Sequence, residues 1–131
     1  MRFRRQTGTL ARIVKDRQMT RITIRKADGT WTVRAGGAVL AESRNALELT
    51  EGEYPFLIYF PREDIAMAFL DKSEQISHCP FKGDARYFSI VTKSQTLANA
   101  AWSYEAPKPE VAAIKDHIAF YATDNVTVER V

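Results

Sequence analysis

Beyond Thr20, apolar side chains recur at every second position in short runs, and glycine, proline or an Asp-Asn pair cuts each run off. This constrains the fold more than any other feature, because a period of two sends alternate side chains to opposite faces of a strand. "TRITIRK" sets Ile22 and Ile24 among polar neighbours, and "TWTVRA" does the same with Trp31 and Val33. The Asp28-Gly29 pair between them reads as a hairpin turn. Gly36-Gly37 make a second tight turn into "AVLAE". "YPFLIYFP" is apolar at consecutive positions, as a central strand buried on both faces can be, and Pro61 ends it. "ARYFSIV" and "TLANAAWSY" form two more strands around polar "TKSQ". "HIAFY" and "VTVERV" are expected to close the chain as a hairpin around Thr123-Asp124-Asn125.

Helical spacing is confined to two places. "PREDIAMAFL" has proline and acids at its front with Ile65 and Phe69 four apart, and Pro109-Glu110 open a second segment with Val111 and Ile114 on one side. About seven or eight short strands and two short helices predict a mainly β (α+β) fold. Its form is coiled antiparallel sheets in an open barrel or sandwich, with the helices at the rim. At 131 residues the chain suits one domain. That domain is expected over residues 19–131, after a basic extension over residues 1–18.

The extension holds six of the 19 Lys and Arg but one of the 16 Asp and Glu, so it carries +5 and residues 19–131 carry −2. Such a segment suits phosphates on nucleic acid or anionic headgroups, or it is a solvated terminus. Leu10, Ile13 and Val14 have helical spacing there, and Met19 is a second possible start of translation. The longest apolar run, "FLIYF", is far below the roughly 18 residues of a membrane helix. No apolar stretch follows the N-terminal basic residues as it does in a secretory signal. One cysteine leaves no internal disulfide and no multi-cysteine zinc site. The expectation is a soluble cytoplasmic protein without a membrane partner or cofactor; the sequence leaves its oligomeric state open.

Three segments concentrate reactive side chains. "SHCPFKG" packs His78, the only cysteine, Cys79, and Lys82 around Pro80 and Gly83, on what reads as irregular backbone between a helix and a strand. A thiol near a cation ionises more readily, while a lone cysteine is more often a small buried hydrophobe. In "AAWSYEAPKP", strand alternation puts Ala100, Trp102 and Tyr104 on one face and Ser103 and Glu105 on the other. Aromatic rings with polar tips suit either a core or the wall of a ligand pocket. Arg62 and Asp64 in "PREDI" pair, cap or meet a ligand. No Walker loop, dinucleotide fingerprint, paired-histidine zinc motif or glycine-flanked nucleophilic serine occurs.

"SRNALEL", "YPFLIYFPREDI", "HCPFKGDARYFSI", "AAWSYEAP" and "HIAFY", in this order, resemble the bacterial domain of unknown function 427 family over roughly Ile22 to Val128. The resemblance implies a β-tent type of fold, similar to that of methionine-R-sulfoxide reductases, in small cytoplasmic proteins without an established activity. The positions matching the family motif are Arg44, Tyr54, Pro55, Arg62, Asp64, Cys79, Lys82, Gly83, Tyr87, Trp102, Tyr104 and Tyr121. The chain lacks the two CxxC pairs with which many β-tent proteins hold zinc, and it lacks a resolving thiol. The family is sometimes labelled nucleotidyltransferase, yet metal-holding carboxylates one residue apart after a Gly-Ser turn do not occur.

The function expected from these readings is binding of an anionic small molecule, with or without catalysis, in one pocket where the CPFKG loop meets the WSYE strand. Arg62 and Lys82 supply positive charge and Tyr87, Trp102 and Tyr104 the walls. Cys79 is the candidate nucleophile, Glu105 the candidate proton partner, and no residue is assigned to a metal. The alternative is a nucleic-acid-binding module working through residues 1–18.

Overall fold

The computed structural model describes residues 21–131, so the expectations for the basic extension and for Met19 lie outside the described residues. Ten strands form two antiparallel sheets, neither closed into a barrel. The strands are β1 (Ile22–Lys26), β2 (Trp31–Ala35), β3 (Ala38–Ser43), β4 (Leu47–Glu51), β5 (Leu57–Phe60), β6 (Leu70–Cys79), β7 (Gly83–Val91), β8 (Thr96–Tyr104), β9 (Ile118–Phe120) and β10 (Val126–Arg130). The larger sheet runs β1-β4-β5-β9-β8-β7-β6 and the smaller β10-β2-β3. The fold is mainly β, as the alternation requires.

One core lies between the sheets, where Val33, Leu40 and Val126 of the small sheet meet Phe60, Phe88, Ile90, Ile118 and Phe120 of the large one. A second cluster occupies the other face of the large sheet: Leu49, Tyr59, Trp102, Tyr104 and Ala119, covered by Val111 and Ile114. The central strand expected in "FLIYF" is β5, between β4 and β9, with Tyr59 in one cluster and Phe60 in the other, both fully buried. Pro61 ends it as expected and leads into a 3₁₀ turn, Arg62–Asp64.

Several connections differ from the sequence expectation. Asp28-Gly29 does not join a hairpin: β1 pairs with β4, while β2 pairs with β3 and β10. The turn carries the chain from one sheet to the other, and periodicity cannot distinguish that corner from a hairpin because neither changes which side chains alternate. The same holds at the C-terminus, where β9 lies between β5 and β8 and β10 crosses to β2. "PREDIAMAFL" forms two separate 3₁₀ turns, Arg62–Asp64 and Met67–Phe69, broken by extended Ile65. Buried Ile65 bridges to Ala41, and that pairing replaces a helical turn. The second short helix is a kinked 3₁₀ segment, Pro109–Ile114, burying Val111 and Ile114. Their spacing of three suits three residues per turn.

The strand β6 had no apolar alternation to announce it. "LDKSEQISHC" is a sheet-edge strand, mostly exposed and rich in charge, as edges that resist further pairing are. "SHCPFKG" is therefore the end of β6 and the tip of the β6–β7 hairpin, not a loop between a helix and a strand.

Candidate functional site

Cys79 and Gly83 face each other across the hairpin, and the Lys82 N–H donates to the Cys79 carbonyl at 3.2 Å. Pro80 thus occupies the second position of a β-turn, where its fixed φ fits. Gly83 has φ +111, and a Cβ there would stand 3.3 Å from the Ala106 carbonyl oxygen and 3.6 Å from the Pro107 Cα. The Lys108 N–H donates to the Lys82 carbonyl at 3.0 Å. The segment after β8 is therefore laid directly on the hairpin tip, and only glycine allows that approach without strain. This contact is what joins the CPFKG and EAPKP segments.

Strand alternation splits the sequence-predicted site residues between two faces of the large sheet. Register pairs Tyr87 with Trp102, Ala85 with Tyr104, Trp102 with Ala119 and Tyr59 with Ala119, so these residues share one face. Cys79, half-buried, and Tyr87 pack against the cluster on that face. The Trp102 indole N–H donates to the Tyr59 hydroxyl at 3.2 Å, and the Trp102 and Tyr121 rings stand 4.4 Å apart. Ser77 and Tyr87 hydroxyls are hydrogen-bonded at 2.9 Å. Burial pushes the Tyr59 and Tyr104 hydroxyls far above the ordinary phenol range. Burial, then the neighbouring Tyr87 hydroxyl, pushes Tyr121 up to about 12.

Lys82 reaches this face from the hairpin tip. Only 7% of the residue is exposed, its Nζ lies 2.7 Å from the Glu51 carboxylate, and it stands 5.9 Å from the Tyr104 ring centre. A buried ammonium needs such a partner, since desolvation otherwise costs several kcal/mol, on the order of the whole stability of a small domain. Glu51 ends β4, a strand with only weak alternation, and nothing in the sequence marked it.

Arg62 and Glu105 lie on the opposite face. The Arg62 Nη2 donates to Glu105 at 3.0 Å and to the buried Ser103 hydroxyl at 3.2 Å, and its Nε donates to the Asp116 carbonyl at 2.7 Å. The guanidinium stands 5.4 Å over the Phe88 ring. Lys72 donates to both Glu105 oxygens at 3.1 Å. Burial pulls the Glu105 pKa upward, but hydrogen bonds and charge from Arg62 and Lys72 outweigh it and hold the carboxyl below its usual value. His78 also turns away from Cys79, pairing with exposed Asp84 at 2.7 Å. Ala100, expected beside Trp102, packs into the core between the sheets, next to the positive φ at Asn99.

Two clefts adjoin these segments. One of about 430 Å³ is lined chiefly by apolar side chains, among them Trp31, Phe56, Leu57, Trp102, Tyr121 and Val128. The other, about 330 Å³, lies outside the hairpin between Pro80, Phe81, Lys108 and Glu110. Cys79, Lys82 and Tyr104 line neither.

Residues 23–131 match the family model described as a domain of unknown function (DUF427). The chain belongs to the DUF427 family. Among curated proteins, none matches it. Six of the twelve motif positions are contact points of two kinds: Lys82 and Gly83 fix the hairpin tip, and Tyr87, Trp102, Tyr104 and Tyr121 gather on one face of the DUF427 sheet. The family's short label abbreviates nucleotidyltransferase. Among the described residues no three His, Cys, Asp or Glu side chains converge on a point that could hold a metal ion. No helix among the described residues is long and apolar enough to cross a membrane.

Proposed function

We propose that this DUF427 chain is a small-ligand-binding domain. Its ligand lies against the face of Trp102, in the 430 Å³ cleft, with the polar-tipped rings behind it. The observation that carries this reading is that a roomy, largely apolar cleft ends on Trp102 and Tyr121, whose neighbours Tyr59 and Tyr87 bring further hydroxyls. Apolar walls with a few placed hydrogen-bonding groups are what small-molecule sites require. The preferred ligand has an apolar or aromatic body and one hydrogen-bonding end. Cys79 and Lys82 mark the hairpin end of the same face. Lys82 is already neutralised by Glu51, so the net charge it offers an anionic ligand is small. His78, the imidazole next to Cys79 in sequence, is paired with Asp84 on the other face, which supports binding over nucleophilic catalysis at the thiol.

Both tryptophans of the chain line the cleft, so occupancy reports directly in intrinsic fluorescence. A library of small aromatic acids and alcohols is expected to yield a saturable quench. Tyr121→Ala, at an exposed position, weakens it about tenfold or more, while the more exposed Tyr54→Ala leaves it unchanged. A library without any saturable quench or rise in melting temperature contradicts the reading. A second reading, nucleic-acid binding, rests on the +5 of residues 1–18, which lie outside the described residues. Gel shifts at low salt of the full chain and of a chain starting at Met19 separate the two, since equal behaviour removes the role of the extension.

A further inference from the structure

The sheet face that carries Ser103 and Glu105 also carries three cations, two of them bonded to that carboxylate. Arg62 and Lys72 both bond Glu105. Arg86 stands opposite Ser103 in the β7–β8 register, two residues from Phe88, over which the Arg62 guanidinium lies. Among the described residues Arg86 has no ion-pair partner, and its Nε is shielded from water without a hydrogen-bond acceptor. Arg62, Lys72 and Arg86 against Glu105 leave a formal charge of +2. Asp84, on the same face, is hydrogen-bonded to His78 and pairs with none of these three cations among the described residues. A guanidinium N–H buried without an acceptor is costly, and a face with surplus cations lacks acceptors above all.

We propose that this face binds a small oxyanion of the phosphate class, held by Arg62, Lys72 and Arg86 with the Ser103 hydroxyl beside them. The inference goes beyond the ligand cleft, with which it shares no side chain. Glu105 occupies part of the site as an internal stand-in, accepting three hydrogen bonds from the two cations it touches. The planar Glu105 carboxylate spends its two oxygens on Lys72 and on the Arg62 Nη2 and makes no bond to Arg86. A tetrahedral oxyanion offers acceptors outside a single plane, which suits cations carried on three separate elements, the 3₁₀ turn, β6 and β7. Arg62 is held ready by the Asp116 carbonyl and the Phe88 ring, so it pays little ordering entropy on binding.

The test is calorimetric titration of the full chain with inorganic phosphate, methyl phosphate and acetate at one ionic strength. Phosphate is expected to bind saturably and acetate at least about tenfold more weakly. Lys72→Gln and Arg86→Gln each weaken phosphate about tenfold, the loss of one charge-assisted hydrogen bond. Glu105→Gln, which removes the stand-in, tightens it severalfold. Arg25→Gln, on a distant exposed ion pair with Glu48, leaves it unchanged. Equal binding of methyl phosphate identifies an esterified phosphate as ligand, and its exclusion identifies free phosphate. Absence of saturable phosphate binding, acetate binding as tight as phosphate, or an equal loss in Arg25→Gln overturns the proposal. Should Arg86→Gln fail to fold, Lys72→Gln at a half-exposed position and Glu105→Gln still decide it.

Discussion

Trp102 and Ser103 are adjacent in the chain, yet they face regions that treat charge in different ways. Among the described residues the Trp102 side has one ion pair, Lys82 with Glu51, set under rings with side chains 8% and 21% exposed. On the Ser103 side, Arg62, Lys72 and Glu105 have side chains between 30% and 46% exposed. Coulomb attraction grows as the effective dielectric falls, so the first pair is strongly coupled and the second is screened. A single strand thus separates a shielded ion pair from a partly exposed cluster of charges.

The comparison breaks most visibly at Trp102. Trp102→Ala removes the largest ring from the second cluster and is expected to cost about 3–5 kcal/mol in urea unfolding, whereas a cost under about 1 kcal/mol shows the cluster to be loosely packed. Next is the shielded pair: Lys82→Ala leaves Glu51 uncompensated and is expected to cost about 3 kcal/mol, and adding Glu51→Gln recovers part of it. Gly83→Ala is expected to cost about 2 kcal/mol, because φ +111 strains any other residue and the Ala106 carbonyl is backbone that cannot easily yield. A smaller effect is predicted on the open side. Lys72→Ala costs under about 1 kcal/mol, and less still in high salt.

The two faces also separate along the pH axis. Tyr59 and Tyr104 have folded-state values raised above their ordinary 10.0, chiefly by burial. Their contribution is complete below pH 10 and is lost as pH rises beyond it, since only the unfolded chain ionises them readily. Ultraviolet titration should therefore show their phenolate signal only together with unfolding. Glu105 has a value lowered from 4.5, so its contribution is complete above that pH and is lost as pH falls through the folded-state value. Glu105→Gln should flatten the acid limb of the stability curve and leave the alkaline limb alone.

Much of this molecule was legible in its sequence, and the omissions have physical causes. Alternation identified β1 and β2, the Gly36-Gly37 turn pointed to β3, an unbroken apolar run to β5, and apolar runs around a polar turn to β7 and β8. Alternation could not assign partners to β1 and β10, since a corner and a hairpin leave the same pattern. No such signal marked β4, whose burial alternates only weakly, or β6, whose edge position leaves most of its side chains in water. The two chemistry-bearing segments were found, and alternation correctly divided Trp102 and Tyr104 from Ser103 and Glu105. What the sequence could not supply was the partner of each charge. Glu51 is 31 residues from Lys82 and Lys72 is 33 from Glu105, and only the sheet order brings them together.

Double-mutant cycles on the two ion pairs, read by urea unfolding, measure the claimed difference directly. The coupling of Lys82 to Glu51 is predicted to exceed about 2 kcal/mol, against less than about 1 kcal/mol for Lys72 to Glu105. Equal couplings, or the larger one on the Lys72 side, would show that the two faces of β8 do not differ in the way described.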